Sequence, residues 1–76
     1  MEFYKQQEET KMSEHIQRMK LEHKELKEKT DKLGAFIHGN EIFKTLDDIE
    51  QSRMIKQHGF MEAYLQVLEQ RIWVAQ

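Results

Sequence analysis

The sequence predicts an all-α fold: an antiparallel hairpin of two long helices with a short helical connector, assembling into a homo-oligomeric helical bundle. Three observations carry that prediction. Met12, Ile16, Met19, His23, Leu26, Thr30, Leu33 and Ile37 are alternately four and three residues apart. Met54, His58, Met61, Leu65, Leu68 and Ile72 repeat the device beyond a break at Gly39-Asn40. Such spacing keeps one stripe of an α-helix turned towards a partner. The third observation is composition: 76 residues with no proline and 3 glycines, 34% charged and 38% hydrophobic. That is the usage of long helices rather than of sheets or disordered tails.

Residues 1–11 are polar apart from Phe3 and Tyr4 and hold no period, so they are expected as a frayed lead-in to one domain over 12–76. Ser13 is a suitable N-cap with Glu14 at the positive end of the helix dipole, which gives a first helix over about 13–38. Glu14/Arg18, Lys24/Glu28, Glu25/Lys29 and Glu28/Lys32 are placed to pair along its outer face. Gly39-Asn40 reads as a stop, because both residues tolerate the left-handed conformation. The connector 39–46 holds Ile42, Phe43 and Leu46, too apolar for a plain loop, and is expected as a helical turn that lids the hairpin tip. Asp47 and Glu50 have capping-box spacing and start the second helix, over about 47–74. Symmetry about the connector pairs Ile16 with Ile72, His23 with Leu65, Leu26 with Met61, Thr30 with His58 and Leu33 with Met54.

A chain this short buries too little apolar surface to be comfortable alone. Cysteine is absent, which removes disulfides, thiolate zinc motifs and a cysteine nucleophile together. Self-association is the remaining remedy. Phe60, Tyr64, Val67, Trp73, Val74, Ile55 and Leu21 lie off the inward stripes and would be exposed on a monomer, so a dimer or tetramer joined chiefly through the second helix is expected. No apolar run approaches the roughly 18 residues of a membrane span, and no signal-peptide core follows Met1, so a soluble intracellular protein without a membrane partner is expected. A net charge of −2 with both signs interleaved offers no field for duplex nucleic acid.

Four histidines, His15, His23, His38 and His58, invite a metal site, since neutral imidazole is a common zinc ligand. None stands four from another across a glutamate. His23 and His58 fall on ladder positions, where polar residues set register, and His15 and His38 are expected to face solvent. No metal, cofactor or catalytic residue is assigned: Ser13 and Ser52 suit caps and surface, Asp47 and Asp48 complement a helix start, and no nucleophile, base and orienting group come together. Gly34, Gly39 and Gly59 build no phosphate loop, and Gly59 beside Phe60 is expected to permit a close helix approach. The bases Arg18, Lys29, Arg53, Lys56 and Arg71 share helix surfaces with Gln57, Tyr64 and Trp73. Arginine grips a phosphate through two parallel hydrogen bonds and an aromatic ring stacks on a nucleobase, although a solvated charged face explains any one of these residues.

The sequence also resembles a family of small phage-encoded helical-hairpin proteins related to a protein of crAss-like phages. The resemblance lies in Arg18-Met19, Glu22, Glu25-Leu26, Lys29, Lys32-Leu33, Phe36-Ile37, the connector Phe43-x-x-Leu46, Glu50-Gln51, Met54, Gln57, Met61, Tyr64, Leu68 and Arg71-Ile72. It implies a bacteriophage source and action in the host cytoplasm. It further implies a non-catalytic sponge that withholds a cyclic dinucleotide or related small nucleotide signal of a bacterial defence system such as CBASS, in pockets between subunits of a homotetramer. Carried onto this chain, it makes Arg18, Lys29 and Arg71 candidates for phosphate contacts, Tyr64 for base stacking and Gln57 for a base edge. The alternative is an oligomeric structural or protein-interaction hairpin that docks a host or virion protein through its aromatic face.

Overall fold

A computed structural model describes the backbone from Glu2 and the side chains from Glu14 onward. The side chains of the Met12 rung and of the expected lead-in lie outside the described residues, but the backbone is helical from Glu2 through Ser13, so the first helix does not begin at an N-cap on Ser13 as expected. Three helices follow in order: α1 (Glu2–Gly39), α2 (Glu41–Thr45) and α3 (Asp48–Ala75). No strand occurs among the described residues. The two long helices pack side by side into a rod of 63 × 15 × 14 Å.

The ladders are the seam. From Ile16 to Ile37 and from Met54 to Ile72, every rung is buried or half-buried, with Met19, Thr30, Leu65 and Leu68 the most enclosed. Leu68 is 0% exposed, and burying such a side chain is worth about 1.5–3 kcal/mol. Thr30, a polar rung, donates its hydroxyl to the Leu26 carbonyl at 2.7 Å. Its hydrogen bond is met inside its own helix, so it occupies the seam without an unpaired polar atom.

Two cross-hairpin contacts set direction and register. His23 Nε2 lies 2.9 Å from Glu69 Oε1. His58 lies against the backbone of Gly34, where an added Cβ would stand 2.8 Å from its Nε2. Both contacts fall one helical turn from the symmetric pairs His23/Leu65 and Thr30/His58. The physical reason is that α2 takes up chain: the hairpin turns about Leu46, between α2 and α3, not about the middle of the connector. The close approach also belongs to Gly34 rather than Gly59, around which no atom stands within 4 Å of a built Cβ.

The tip shows how the chain reverses. α1 does not end in a left-handed residue. Asn40 is extended (φ −95°, ψ 129°) and its side-chain oxygen accepts from the Ile42 amide at 2.8 Å, capping α2. Phe43 is buried and meets Phe36 edge-on at 6.1 Å, and Leu46 is half-buried, but Ile42 stays 61% exposed. The lid is therefore Phe43 and Leu46. Asp47 accepts from the Glu50 amide at 2.7 Å and starts α3. Gln51 holds the tip together: its Nε2 donates to the Phe43 carbonyl at 3.0 Å and to the Leu46 carbonyl at 2.9 Å. The Phe43 carbonyl also accepts from the Leu46 amide at 3.2 Å, whereas the Leu46 carbonyl, just past the end of the five-residue helix, has Gln51 as its partner.

The expected outer-face pairs are absent; among the described residues Lys27–Asp31 closes at 3.2 Å, Lys44–Glu41 at 3.6 Å and Arg53–Glu50 at 3.8 Å. Long exposed side chains gain too little from such pairs to be held in one rotamer. His23 and His58 do occupy the seam, and His15 and His38 face solvent.

Truncating Leu68 to alanine is expected to cost about 2–5 kcal/mol, read as a lower denaturant midpoint. Gly59→Ala, with open space around it and a mid-helix position, should stabilise by about 0.5–1 kcal/mol. Gly34→Leu should destabilise strongly, because His58 and then α3 must give way. Equal thermal shifts for the two glycine variants would contradict the close approach.

Candidate functional site

Each inward rung of α3 is preceded by an outward one. Arg53, Gln57, Phe60, Tyr64, Val67, Arg71 and Val74 stand one residue before Met54, His58, Met61, Leu65, Leu68, Ile72 and Ala75. One residue is about 100° around a helix, so the outer residues form a second ladder with the same four-three spacing, along one flank. All are exposed, with Phe60 at 73%, Tyr64 at 47%, Val67 at 52% and Val74 at 82%. The earlier expectation that these side chains, with Ile55, Trp73 and Leu21, lie off the seam holds for each of them. The four-three spacing that separates Phe60, Tyr64, Val67 and Val74 from Ile55, Trp73 and Leu21 is readable in the sequence but is hidden when all seven are grouped as one exposed set.

α1 follows the same rule. His15, Arg18, Glu22, Glu25, Lys29 and Lys32 each precede an inward rung. In an antiparallel hairpin the residues that precede the rungs of both helices lie on the same flank. A surface hollow of about 350 Å³ bears this out at the open end of the rod, lined by His15 and Met19 from α1 and by Gln70, Arg71, Val74 and Ala75 from α3. The five candidate residues Arg18, Lys29, Gln57, Tyr64 and Arg71 therefore occupy a single flank, all of them exposed.

They do not meet in one cavity. Interpolating between the two cross-contacts sets Lys29 level with Tyr64, and Arg18 about one turn beyond Arg71, nearer the open end. Gln57 is two heptads from Arg71, roughly 21 Å along the helix. Its amide lies 3.9 Å from Met61 Sδ. Of the five, Arg71 borders a hollow. Glu22 and Glu25 stand between Arg18 and Lys29 on the same flank, so positive charge is concentrated at the ends of the α1 stretch. The lining of the Arg71 hollow is apolar at Met19, Val74 and Ala75, with His15, Gln70 and Arg71 as its polar groups. Such a mixture suits an organic anion with a flat apolar part.

The opposite flank carries a second hollow, of about 300 Å³, lined by Lys20, His23, Glu69, Ile72, Trp73 and Gln76. Its polar anchor is the His23–Glu69 contact. Sequence reasoning named Trp73 and His23 but not Glu69 or Lys20; an acid one residue after a rung and across from a seam histidine was the available signal. His58 Nδ1 has a similar acidic neighbour, Glu62 Oε1 at 3.1 Å. Among the described residues no three histidine or acidic side chains gather into a metal-binding group, and no helix is long and apolar enough to cross a membrane.

No curated protein and no solved structure matches the chain. A family model does: the one described as Sequestin aligns with residues 13–74, which takes in α1 from residue 13, α2, α3 up to Val74, both ladders from Ile16 onward and all five candidate residues. That match covers most of the chain, and the chain therefore belongs to the Sequestin family.

Proposed function

We propose that this protein is a non-catalytic phage sponge that acts in the host cytoplasm, binding a cyclic dinucleotide or related cyclic oligonucleotide immune signal in pockets between subunits and withholding it from an anti-phage system of the CBASS type. The observation that carries the reading is the single flank shared by Arg18, Lys29, Gln57, Tyr64 and Arg71. Guanidinium and ammonium groups suit phosphates, the phenol ring suits a base face and the amide suits a base edge. The family description, Sequestin, names sequestration and agrees with it. Holding a ligand without converting it asks for no nucleophile or base, only for affinity and enough copies.

The hollow beside Arg71, at about 350 Å³, is at the small end of ligand sites and open to solvent. One chain covers only part of a cyclic dinucleotide, which favours a site completed by another copy. A second reading, a hairpin that docks a host or virion protein, draws on Trp73, 79% exposed on the other flank.

Thermal unfolding with cyclic di-AMP, cyclic di-GMP and cyclic tri-AMP at about 100 μM should show a clear rise in Tm for at least one, since a ligand at 100 times its Kd stabilises by about 2.7 kcal/mol. No shift with any of them would contradict the sponge. Arg71→Ala should weaken that binding by about 10–100-fold, the loss of a charge-assisted hydrogen bond worth about 1.5–3 kcal/mol, measured at a protein concentration where sedimentation shows the variant in the same assembly state as the parent. Unchanged affinity would remove Arg71 from the site. Stoichiometric capture of one host or virion protein, without nucleotide binding, would favour the second reading.

A further inference from the structure

We infer that α3 pairs antiparallel with α3 of a second copy, in a register that sets Tyr64 against the partner's Val67, Phe60 against the partner's Arg71 and Gln57 against the partner's Val74. The outer ladder of α3 has the alternate four-three spacing of a two-helix seam, and its apolar members Phe60, Tyr64, Val67 and Val74 stay exposed on the single chain. A two-fold axis makes each pair occur twice, so six layers run from Gln57 to Val74.

Charge and size choose this register. Parallel pairing would set Arg71 against Arg71 in an otherwise uncharged stretch. Antiparallel pairing one heptad nearer α2 would set Arg53 against Arg71. One heptad the other way leaves Phe60, at 73% the more exposed of the two rings on the stripe, without cover. In the inferred register each guanidinium meets the Phe60 ring, where a cation is attracted by the π face. The flanking positions Ala63 and Gln70 are uncharged and exposed, so nothing there repels, and the small Ala63 lets the helices approach. Depletion of charge with aromatic residues and arginine retained is the composition of an interface core.

The pairing changes the site. Within one chain Gln57 and Arg71 are roughly 21 Å apart, too far to hold one small ligand. Across the two-fold axis the partner's Gln57 lies beside Val74, one turn from Arg71. The partner's Phe60 covers the same hollow, which His15 and Met19 close from below. Each dimer then holds two shared pockets, one at each end of the paired stretch. That last step rests on the nucleotide reading above; the pairing itself does not.

The chain has no cysteine, so introduced ones report alone. Gln57→Cys and Val74→Cys, both at exposed positions, are oxidised separately and after mixing in equal amounts with exchange. The mixture should give a disulfide dimer joining the two variants, and neither variant alone should, because equivalent residues would be roughly 25 Å apart. Dimers in either variant alone indicate parallel pairing and overturn the inference. A mixture that stays uncrosslinked overturns it too. No ligand is present, so this failure is distinct from failure to bind a nucleotide.

Discussion

A two-helix hairpin can bury only one stripe of each helix, and the rest of this molecule follows from that limit. The α1–α3 seam encloses Met19, Thr30, Leu65 and Leu68, yet no second layer covers the apolar side chains on the flank of α3. The accessible surface of 6540 Å² for 9.3 kDa is about a third larger than the roughly 5000 Å² of a compact monomer of that mass. Hydrophobic burial is the main favourable term in folding. A rod with so thin a core would gain from covering Phe60, Val67 and Val74 with a like surface, which is what the proposed pairing does.

The seam was legible in the sequence because apolar spacing at four and three is enough to define a helical stripe. From Ile16 onward the rungs named from spacing are all enclosed or half-enclosed, polar His23, Thr30 and His58 included. Register was less legible. Symmetry about the connector ignores the chain that α2 consumes, and only the fit of His58 over Gly34 and the reach of His23 to Glu69 fix where the helices stop sliding. The stop at Gly39-Asn40 was read from residue type as a left-handed cap. Asn40 instead leaves in extended form and caps the next helix, a choice set by the three-dimensional path of the tip. Exposed ion pairs were the least readable feature, since each is worth little and alternatives differ by tenths of a kcal/mol.

The candidate residues were legible by chemistry and not by placement. Arg18, Lys29, Gln57, Tyr64 and Arg71 were picked for phosphate and base affinity, and that they share one flank follows from each standing one residue before a rung. Distance along the rod could not be read the same way. A residue pattern gives the angle around a helix well and separation between helices only once register is known. The hollow beside Arg71 needs His15 and Met19 from the other helix, and their juxtaposition depends on the one-turn offset produced by α2.

Whether folding and assembly are one event tests the central claim most directly. Sedimentation equilibrium across nanomolar to high micromolar protein, with helix content followed by circular dichroism on the same samples, reads both. An oligomer throughout the micromolar range, losing helix as it dissociates on dilution, is the expected result. A fully helical, stable single subunit at micromolar concentration would contradict it, because the outer ladder of α3 would then have no need of a second copy.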